Sequence, residues 1–265
     1  MNRITQSQSV FKTLYDRDPL RIEAAAGASR RLVVSFTSVG TKRDAWPPRE
    51  FVGMASQRGR NHVICVSDIS RSWMNRPGMA RRIATVISDY VLDHGITEAH
   101  AIGTSMGGYN ALILGKTFPF SRIVAIAPQY SVHPDVLPEE KRWKWFRNQI
   151  TDWPHRAIET LPGEQKDVIV LHGDTPDEKR HWSRFPEASN LRHIIFAGAD
   201  HNFVKPLKSH GALPKIVQAA LNNRPLRFNK LVRRFGGMTR AAYAGFEAAM
   251  AYFDGRRKLA RPAGF

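Results

Sequence analysis

The sequence predicts an α/β protein in which helices cover a mostly parallel central sheet. Short runs rich in valine and isoleucine alternate with longer stretches of helical periodicity, and such continuous apolar runs are typical of strands buried on both faces. Hydrophobic residues make up 42% and charged residues 24% of the 265-residue chain, as in ordinary globular proteins. This length fits one large domain or two small ones.

Seven segments have the composition of strands, because they are rich in β-branched residues and bounded by turn-forming ones. We predict strands at about residues 20–25, 31–37, 62–67, 98–103, 122–127, 167–172 and 192–197. Their alternation with helical segments is the pattern of a parallel sheet.

Three helices are predicted between and after these strands. Residues 77–93 begin with a proline that suits a first turn, place apolar side chains on one stripe, and end at His94-Gly95. A second helix begins at the turn around Ser105 and ends before Pro119. A third covers about residues 213–222.

Residues 130–165 interrupt this alternation. The stretch is too long for an ordinary loop, begins with the proline-rich run SVHPDVLPEE, and carries the aromatic residues Trp143, Trp145, Phe146 and Trp153. A helical excursion of this kind is typical of a lid over a site. Aromatic residues at helical spacing also form cores, so a pair of helices packed on the sheet edge is the alternative interpretation.

The carboxyl-terminal segment, residues 223–265, is strongly basic. It follows the turn-forming run NNRP and holds ten Lys and Arg against two acidic residues, which is about half of the formal net charge of +17. We therefore divide the chain into a domain of residues 1–222 and a basic helical extension of residues 223–265.

The extension has two interpretations. Residues 230–240 mix apolar and basic residues at helical spacing, and residues 241–253 place Tyr243, Phe246, Met250 and Phe253 on one face. Such a segment suits an amphipathic anchor on an anionic surface, a polyanionic glycan or an acidic partner. The same spacing suits helices folded back on the sheet with their charges in solvent.

Composition also restricts location and cofactors. The single cysteine, Cys65, excludes an intramolecular disulfide and a cysteine-rich zinc site, and its apolar neighbours predict a buried, inert thiol. The first residues lack the apolar run of a secretion signal, and no segment approaches the ~18 apolar residues of a membrane span. We expect a cytoplasmic protein without an integral membrane segment. Neither a phosphate-binding loop nor a dinucleotide fingerprint occurs, so we expect no cofactor and no metal.

The motif Gly103-x-Ser105-x-Gly107 carries the strongest chemical signal. An apolar strand precedes it, a helix follows it, and the glycines leave room for a sharp strand-to-helix turn. Such a turn would hold the Ser105 hydroxyl at the carboxyl end of the sheet, where ligands of open α/β sheets bind. A helix N-cap, the alternative role of Ser105, would not require both glycines.

A serine nucleophile needs a base and a group that orients this base. The strand at 167–172 leads into Gly173-Asp174-Thr-Pro-Asp177, and the strand at 192–197 leads into Gly198-Ala-Asp200-His201. Since the carboxyl ends of parallel strands meet at one edge, these candidates should lie on the same edge as Ser105.

The order serine, acid, histidine, with G-T-S-M-G-G at the turn, H-G-D after a late strand and G-A-D-H after the last, resembles the α/β-hydrolase superfamily over roughly residues 20–222. The resemblance implies the α/β-hydrolase fold, with Ser105 as nucleophile, His201 as base and Asp174 as acid. Family members often place the acid three residues after the glycine, where this chain has Pro176. Asp177 is therefore the alternative acid, and Asp200 is a third candidate.

Stabilisation of an oxyanion requires backbone N–H groups. One donor should be Met106, and the other should come from the loop after the strand at 31–37, where the family often carries His-Gly. This chain has Thr37-Ser38-Val39-Gly40 there, and register favours Val39 over Ser38. The missing His-Gly indicates a divergent subgroup.

These residues indicate a serine hydrolase that cleaves a carboxylic ester or thioester through an acyl-enzyme. An acyltransferase would use the same three residues, and an inactive hydrolase scaffold that binds polyanions through its basic tail is a further alternative. Basic residues interleaved with tryptophans at 141–147 suit a small-molecule, glycan or lipid ester that bears negative charge, although a solvated basic helix face would have the same composition.

Overall fold

A single mixed sheet organises the structure, a computed structural model that describes the backbone of residues 10–259 and the side chains of residues 10–250. Within this range nine strands are present: β1 (Lys12–Arg17), β2 (Leu20–Ala25), β3 (Arg31–Phe36), β4 (His62–Asp68), β5 (Glu98–Thr104), β6 (Arg122–Ile126), β7 (Asp167–Gly173), β8 (Leu191–Phe196) and β9 (Gly237–Thr239).

Helices cover both faces of the sheet. In the described residues they are α1 (Val52–Ser56), α2 (Met79–Asp93), α3 (Met106–Gly115), α4 (Lys144–Arg147), α5 (Pro176–Trp182), α6 (Val204–Ser209), α7 (Ala212–Leu221), α8 (Pro225–Arg234) and α9 (Arg240–Leu259). Apolar side chains of α2, α3 and the 130–165 excursion pack on one face, and those of α1, α6, α7 and α8 pack on the other. Residues of α3 are buried on all sides.

The strand order is β1-β2-β4-β3-β5-β6-β7-β8-β9, and the strands from β4 to β8 run parallel. The outer strands β1, β2 and β9 pair antiparallel. This arrangement confirms the predicted α/β sheet, and all seven predicted strands are present. It places the carboxyl ends of β5, β7 and β8 along one edge, which is where the candidate residues lie.

Two strands were not anticipated from the sequence. β1 is an edge strand that buries none of its residues completely, so its sequence lacks an apolar run. β9 is only three residues long, and Gly237 lies so close to β8 that a Cβ there would be 2.9 Å from the Phe196 ring. Glycine is needed for that approach, yet glycine is depleted in strands and so gives no strand signal in the sequence.

The excursion at 130–165 contains one short helix, α4, instead of the helical pair suggested by its aromatic spacing. Prolines at 134, 138 and 154 prevent longer helices. Much of its remaining backbone is fixed by specific hydrogen bonds, such as the bond from Tyr109 Oη to the carbonyl of His155 at 2.7 Å. The excursion is therefore an irregular segment packed on α3.

The described part of the basic extension packs against the sheet. Phe228 and Val232 of α8 lie in the same apolar cluster as Ile216 of α7, and β9 pairs with β8. Tyr243 of α9 is buried against Trp182, with ring centroids 5.6 Å apart. The side chain of Phe253 lies outside the described residues. A boundary at residue 222 remains a prediction, although the sheet continues beyond it.

Cys65 is fully buried on β4, and burial raises the pKa of its thiol to about 12. It is therefore protonated and unreactive at neutral pH. Across residues 10–259, no helix combines the length and the apolar character required to cross a membrane.

Candidate active site

Ser105 occupies a strained turn between β5 and α3. Its φ and ψ are 53° and −123°, a backbone conformation that side-chain-bearing residues rarely adopt. A Cβ on Gly107 would lie 2.2 Å from the Phe36 carbonyl oxygen, and one on Gly103 would lie 2.2 Å from the Gly107 carbonyl carbon. Both glycines are thus required for the turn, which matches the strand-turn-helix context predicted around Ser105.

His201 lies next to Ser105. It follows β8, and its Nε2 is 3.0 Å from Ser105 Oγ. The Trp143 ring, from the excursion, lies against the imidazole with centroids 5.8 Å apart. The Ser105 residue is only 6% exposed and the His201 side chain 16% exposed, so the pair lies in an enclosed site that reaches solvent at the imidazole.

Glu178, in the first turn of α5, is the carboxylate that contacts the imidazole. Its Oε1 lies 2.8 Å from His201 Nδ1, and its side chain is 1% exposed. Burial alone would raise the pKa of this carboxyl, but hydrogen bonding and charge interaction with His201 outweigh it and hold the pKa at about 2. Glu178 is therefore ionised at neutral pH, and it favours a proton on Nδ1, which leaves Nε2 free to accept the serine proton.

The structure places the three aspartates considered from the sequence away from this position. Asp174 Oδ2 accepts a hydrogen bond from Tyr243 Oη at 3.0 Å, and Asp177 is exposed and paired with Arg180 at 2.8 Å. Asp200 accepts a hydrogen bond from the Asn202 amide. The assignment of Asp174, or alternatively Asp177, to the imidazole contact is corrected to Glu178.

The sequence alone does not indicate Glu178 as the partner of His201, because its spacing indicates a different role. Thr175-Pro-Asp-Glu178 at the start of a helix is the spacing of a capping box, in which the glutamate would bond the backbone at the N-cap. The Thr175 side chain makes no such cap in the structure, and Glu178 turns inward instead. The available sequence signal for this contact was a carboxylate about one helical turn after β7. The tertiary structure was needed to recognise that it meets the imidazole.

Arg142 of the excursion holds the other side of this carboxylate. Its Nη1 donates to Glu178 Oε1 at 3.0 Å, and its guanidinium also donates to the buried carboxylate of Glu140. His181 Nε2 donates to Glu140 at 2.8 Å, because its Nδ1 accepts from the Tyr130 amide. These bonds and charges hold the pKa of Glu140 well below its ordinary value and raise that of Arg142, in both cases against burial.

The loop after β3 is fixed by the partly buried carboxylate of Glu50 and the fully buried guanidinium of Arg71. Ser38 donates from its amide at 3.3 Å and from its hydroxyl at 2.5 Å to the carboxylate of Glu50. Arg71 is fully buried, and its guanidinium donates to four carbonyl oxygens, one of which is the Val39 oxygen at 3.1 Å. The Ser38 amide is thus occupied, whereas within the described residues the Val39 and Met106 amides donate to no other group. Their role as oxyanion donors stays a prediction.

The other buried histidines at this edge have structural partners. His172 Nε2 donates to the Pro128 carbonyl at 2.8 Å, its Nδ1 lies 2.9 Å from His193 Nε2, and burial lowers its pKa to about 4. In the part of the chain that the structure describes, no three histidine, cysteine or acidic side chains are arranged to hold a metal ion.

Comparison with known proteins rests on structure. No protein-family model and no curated protein matches the chain. Among solved structures, a mutant capsule O-acetyltransferase of Neisseria meningitidis serogroup A in complex with CoA aligns with a TM-score of 0.52 and 12% identity, over 78% of this chain and 97% of its own. ESTFA, in an iron-lacking apo form, aligns with a TM-score of 0.54 and 12% identity, over 80% and 83%.

A third similar structure is XC6422 from Xanthomonas campestris, described as an α/β serine hydrolase without a lid. It aligns with a TM-score of 0.51 and 15% identity, over 84% of this chain and 97% of its own. The chain has the α/β-hydrolase fold. Identity this low identifies the fold and leaves the activity to be inferred from the residues at the site.

Within this α/β-hydrolase fold, the carboxylate that contacts His201 lies two residues beyond the position where family members often place the acid. That position is Pro176, the first residue of α5, where no carboxylate is available. One further half-turn of helix brings Glu178 to the imidazole, and Arg142 from the excursion completes its hydrogen bonding. The excursion is thereby part of the site.

Proposed function

We propose that the chain is a serine hydrolase that cleaves a carboxylic ester or thioester through an acyl-enzyme. One observation carries the proposal: Ser105 Oγ, His201 and Glu178 form a continuous chain of contacts of 3.0 and 2.8 Å at a strained strand-to-helix turn. A nucleophile, its base and a buried group that orients the base are the parts that acyl transfer to serine requires.

The reaction would proceed in two halves. Ser105 Oγ attacks the carbonyl carbon while its proton passes to His201 Nε2, and the imidazolium then protonates the leaving group. Water, deprotonated by the same nitrogen, attacks the acyl carbon; the bond from this carbon to Ser105 Oγ then breaks, the imidazolium returns the proton to Oγ, and the carboxylic acid product leaves. Glu178 keeps the imidazole in its productive tautomer and stabilises its positive charge, and the amides of Met106 and Val39 would bind the oxyanion.

The test is labelling by a fluorophosphonate together with hydrolysis of p-nitrophenyl acetate. Ser105→Ala should remove labelling and lower the rate by about 10⁴–10⁶-fold, as loss of a triad nucleophile does elsewhere. Ser183→Ala, at an exposed serine outside the site, is the matched control and should react normally. Undiminished turnover by folded Ser105→Ala protein would end the proposal.

Transfer of the acyl group to an alcohol is the second candidate. Two observations favour it: an O-acetyltransferase shares the fold, and Ser105 is only 6% exposed, with the Trp143 ring against its partner His201. An enclosed acyl-enzyme reacts less with water. Acetylation of a sugar alcohol by acetyl-CoA, faster than hydrolysis of the thioester, would identify a transferase.

The excursion offers few residues to a charged substrate. Of its five Lys and Arg residues, Arg142 binds Glu140 and Glu178, and Arg147 is buried and donates to the Glu140 carbonyl oxygen. Arg156 pairs with Asp135 at 3.6 Å. Lys141 and Lys144 are exposed, and the 55% exposed Trp145 stacks with Arg43 at 4.1 Å. Lys141, Lys144 and Arg43 are thus the basic side chains that this surface would offer to an anionic acyl acceptor or ester.

We also propose that polyanions bind in a cleft of about 390 Å³ between α7, α8 and the first residue of β3. The cleft is lined by Arg31, Arg60, Lys215, Arg224 and Arg227 together with amide side chains, and by no acidic residue. Arg31 pairs with Glu98, at 2.7 Å. Such a concentration of cations attracts multivalent anions.

Heparin affinity tests this second site. Replacing Lys215, Arg224 and Arg227 together by alanine should lower the salt concentration at elution, while ester hydrolysis stays unchanged. A double variant at Lys205 and Lys208, exposed on α6 outside the cleft, controls for lost net charge. If the salt concentration at elution falls by the same amount per removed charge in both variants, heparin is attracted by the overall charge and not by this cleft.

A further inference from the structure

A side-chain amide contacts the nucleophile. Gln129, in the loop after β6, places its Nε2 at 2.8 Å from Ser105 Oγ, and the residue is fully buried. Ser105 Oγ therefore has two partners, Gln129 and His201. The strand-turn-helix motif around Ser105 does not require the contact with Gln129.

Trp73 fixes the orientation of this amide. Its indole Nε1 can only donate, and it lies 3.1 Å from Gln129 Oε1. The amide oxygen therefore faces Trp73, and its NH₂ faces Ser105. Because the serine oxygen accepts from Gln129, the serine proton is directed to His201 Nε2, which agrees with the Nδ1 proton that Glu178 favours.

The segment that supplies Trp73 is strained. Arg71, Trp73 and Met74 have positive φ angles of 50°, 49° and 63°, in the left-handed region that favours glycine. Such conformations cost about 1–3 kcal/mol each and persist where the surrounding structure determines them, commonly at functional sites. Trp73 is fully buried, and Asn75 Nδ2 donates to its carbonyl oxygen at 3.0 Å.

We propose that Gln129 is a catalytic residue that stabilises negative charge on Ser105 Oγ in both halves of the reaction. This inference rests on the proposed function. In the first half, the Oγ–carbon bond forms as the Oγ proton moves to His201, and the amide N–H stabilises the charge that develops on Oγ during this transfer. In the second half, the Oγ–carbon bond breaks, its electron pair returns to Oγ, and His201 returns the proton.

In the second half, Gln129 and the oxyanion donors act on different atoms, since the oxyanion donors contact the carbonyl oxygen. Gln129 acts on the serine oxygen, which is the leaving group of deacylation whatever ester formed the acyl-enzyme. Deacylation of the acetyl-enzyme made from p-nitrophenyl acetate should thus slow when the N–H is removed.

Gln129→Met removes the donor at similar side-chain length. We expect deacylation to slow by about 10²-fold, the usual effect of losing one donor to a developing oxyanion, with KM little changed and fluorophosphonate labelling of Ser105 slow but complete. Deacylation within twofold of the wild-type rate would overturn the role of Gln129. Ser105→Ala, measured beside it, reports on the proposed function separately, since activity in that variant would remove the nucleophile itself.

Gln129→Glu gives a readout that a packing role would not produce. A carboxylic acid donates to Oγ when protonated, whereas a carboxylate repels the charge on Oγ. The ratio of variant to wild-type kcat should therefore fall as pH rises, and dividing by the wild-type rate removes the pH dependence that the two enzymes share. A ratio that is constant with pH would refute the proposal, and this holds even if Gln129→Met fails to fold.

Discussion

Exchange of Glu178 for glutamine tests the assignment of the acid most directly. Glu178 Oε1 accepts from both His201 Nδ1 at 2.8 Å and Arg142 Nη1 at 3.0 Å, whereas the buried Oε2 has no partner within the described residues. The amide oxygen can therefore stay at the Oε1 position with the NH₂ group at the Oε2 position. The substitution removes the charge while the two hydrogen bonds remain.

The magnitude follows from the charge that stabilises the imidazolium in the transition state. Two unit charges about 4 Å apart interact by about 4 kcal/mol at an effective dielectric constant near 20, and about 1.4 kcal/mol corresponds to a factor of ten. Full loss would lower kcat about 10³-fold. The positive charge of Arg142 on the same oxygen reduces the effect, so we expect a loss of about 10²–10³-fold.

The assay is steady-state hydrolysis of p-nitrophenyl acetate by Glu178→Gln, Asp174→Asn and Asp177→Asn. Asp177 shares α5 with Glu178 but is exposed, so its variant is the matched control and should be as active as the wild type. Asp174→Asn replaces the charged acceptor of the Tyr243 hydroxyl with a neutral one and should change kcat less than tenfold. A larger loss in Asp174→Asn than in Glu178→Gln would refute the reasoning.

Three further expectations concern the turn, the extension and pH. Gly107→Ala should abolish fluorophosphonate labelling, because its Cβ would lie 2.2 Å from the Phe36 carbonyl oxygen; normal labelling would mean that the turn is not so constrained. Phe228→Ala should lower the free energy of unfolding in urea by about 3–5 kcal/mol, whereas Leu226→Ala, at an 87% exposed neighbour, should change it by less than about 0.5 kcal/mol; equal values would separate α8 from the core. The folded-state pKa of Glu178, about 2, lies below its ordinary value of 4.5, so its stabilising contribution is complete above about pH 4.5 and is lost as pH falls toward 2. The stability difference between wild type and Glu178→Gln should thus shrink from the order of 3 kcal/mol at pH 7 as pH falls below about 4, and a difference independent of pH would contradict the assignment.

The position of the extension changes how its role is tested. Removal of residues after Asn223 would expose the cluster beneath Phe228 and leave β8 without the partner strand β9. A truncated chain is therefore expected to unfold more readily, and loss of polyanion binding in it would not be informative. Substitution of exposed basic residues leaves the core intact and separates the two effects.

The sequence by itself determined the mostly parallel sheet, seven of its strands and the turn at Ser105, because these depend on local properties. Short runs rich in valine and isoleucine are removed from water when they form buried strands. Gly103 and Gly107 permit a turn that larger residues would block. His201 followed from the same logic, since it comes directly after the last predicted strand and so lies at the carboxyl edge.

Only the tertiary structure decided which side chains meet at that edge. Asp174 and Asp177 are as close in sequence to the strand end as Glu178, but the direction in which α5 leaves β7 turns Glu178 inward and Asp177 to solvent. Arg142 and Gln129 contact the site from segments with no sequence motif, because their positions depend on the path of the excursion and the loop after β6. Side-chain contacts between residues far apart in the chain are set by packing, which local sequence patterns do not encode.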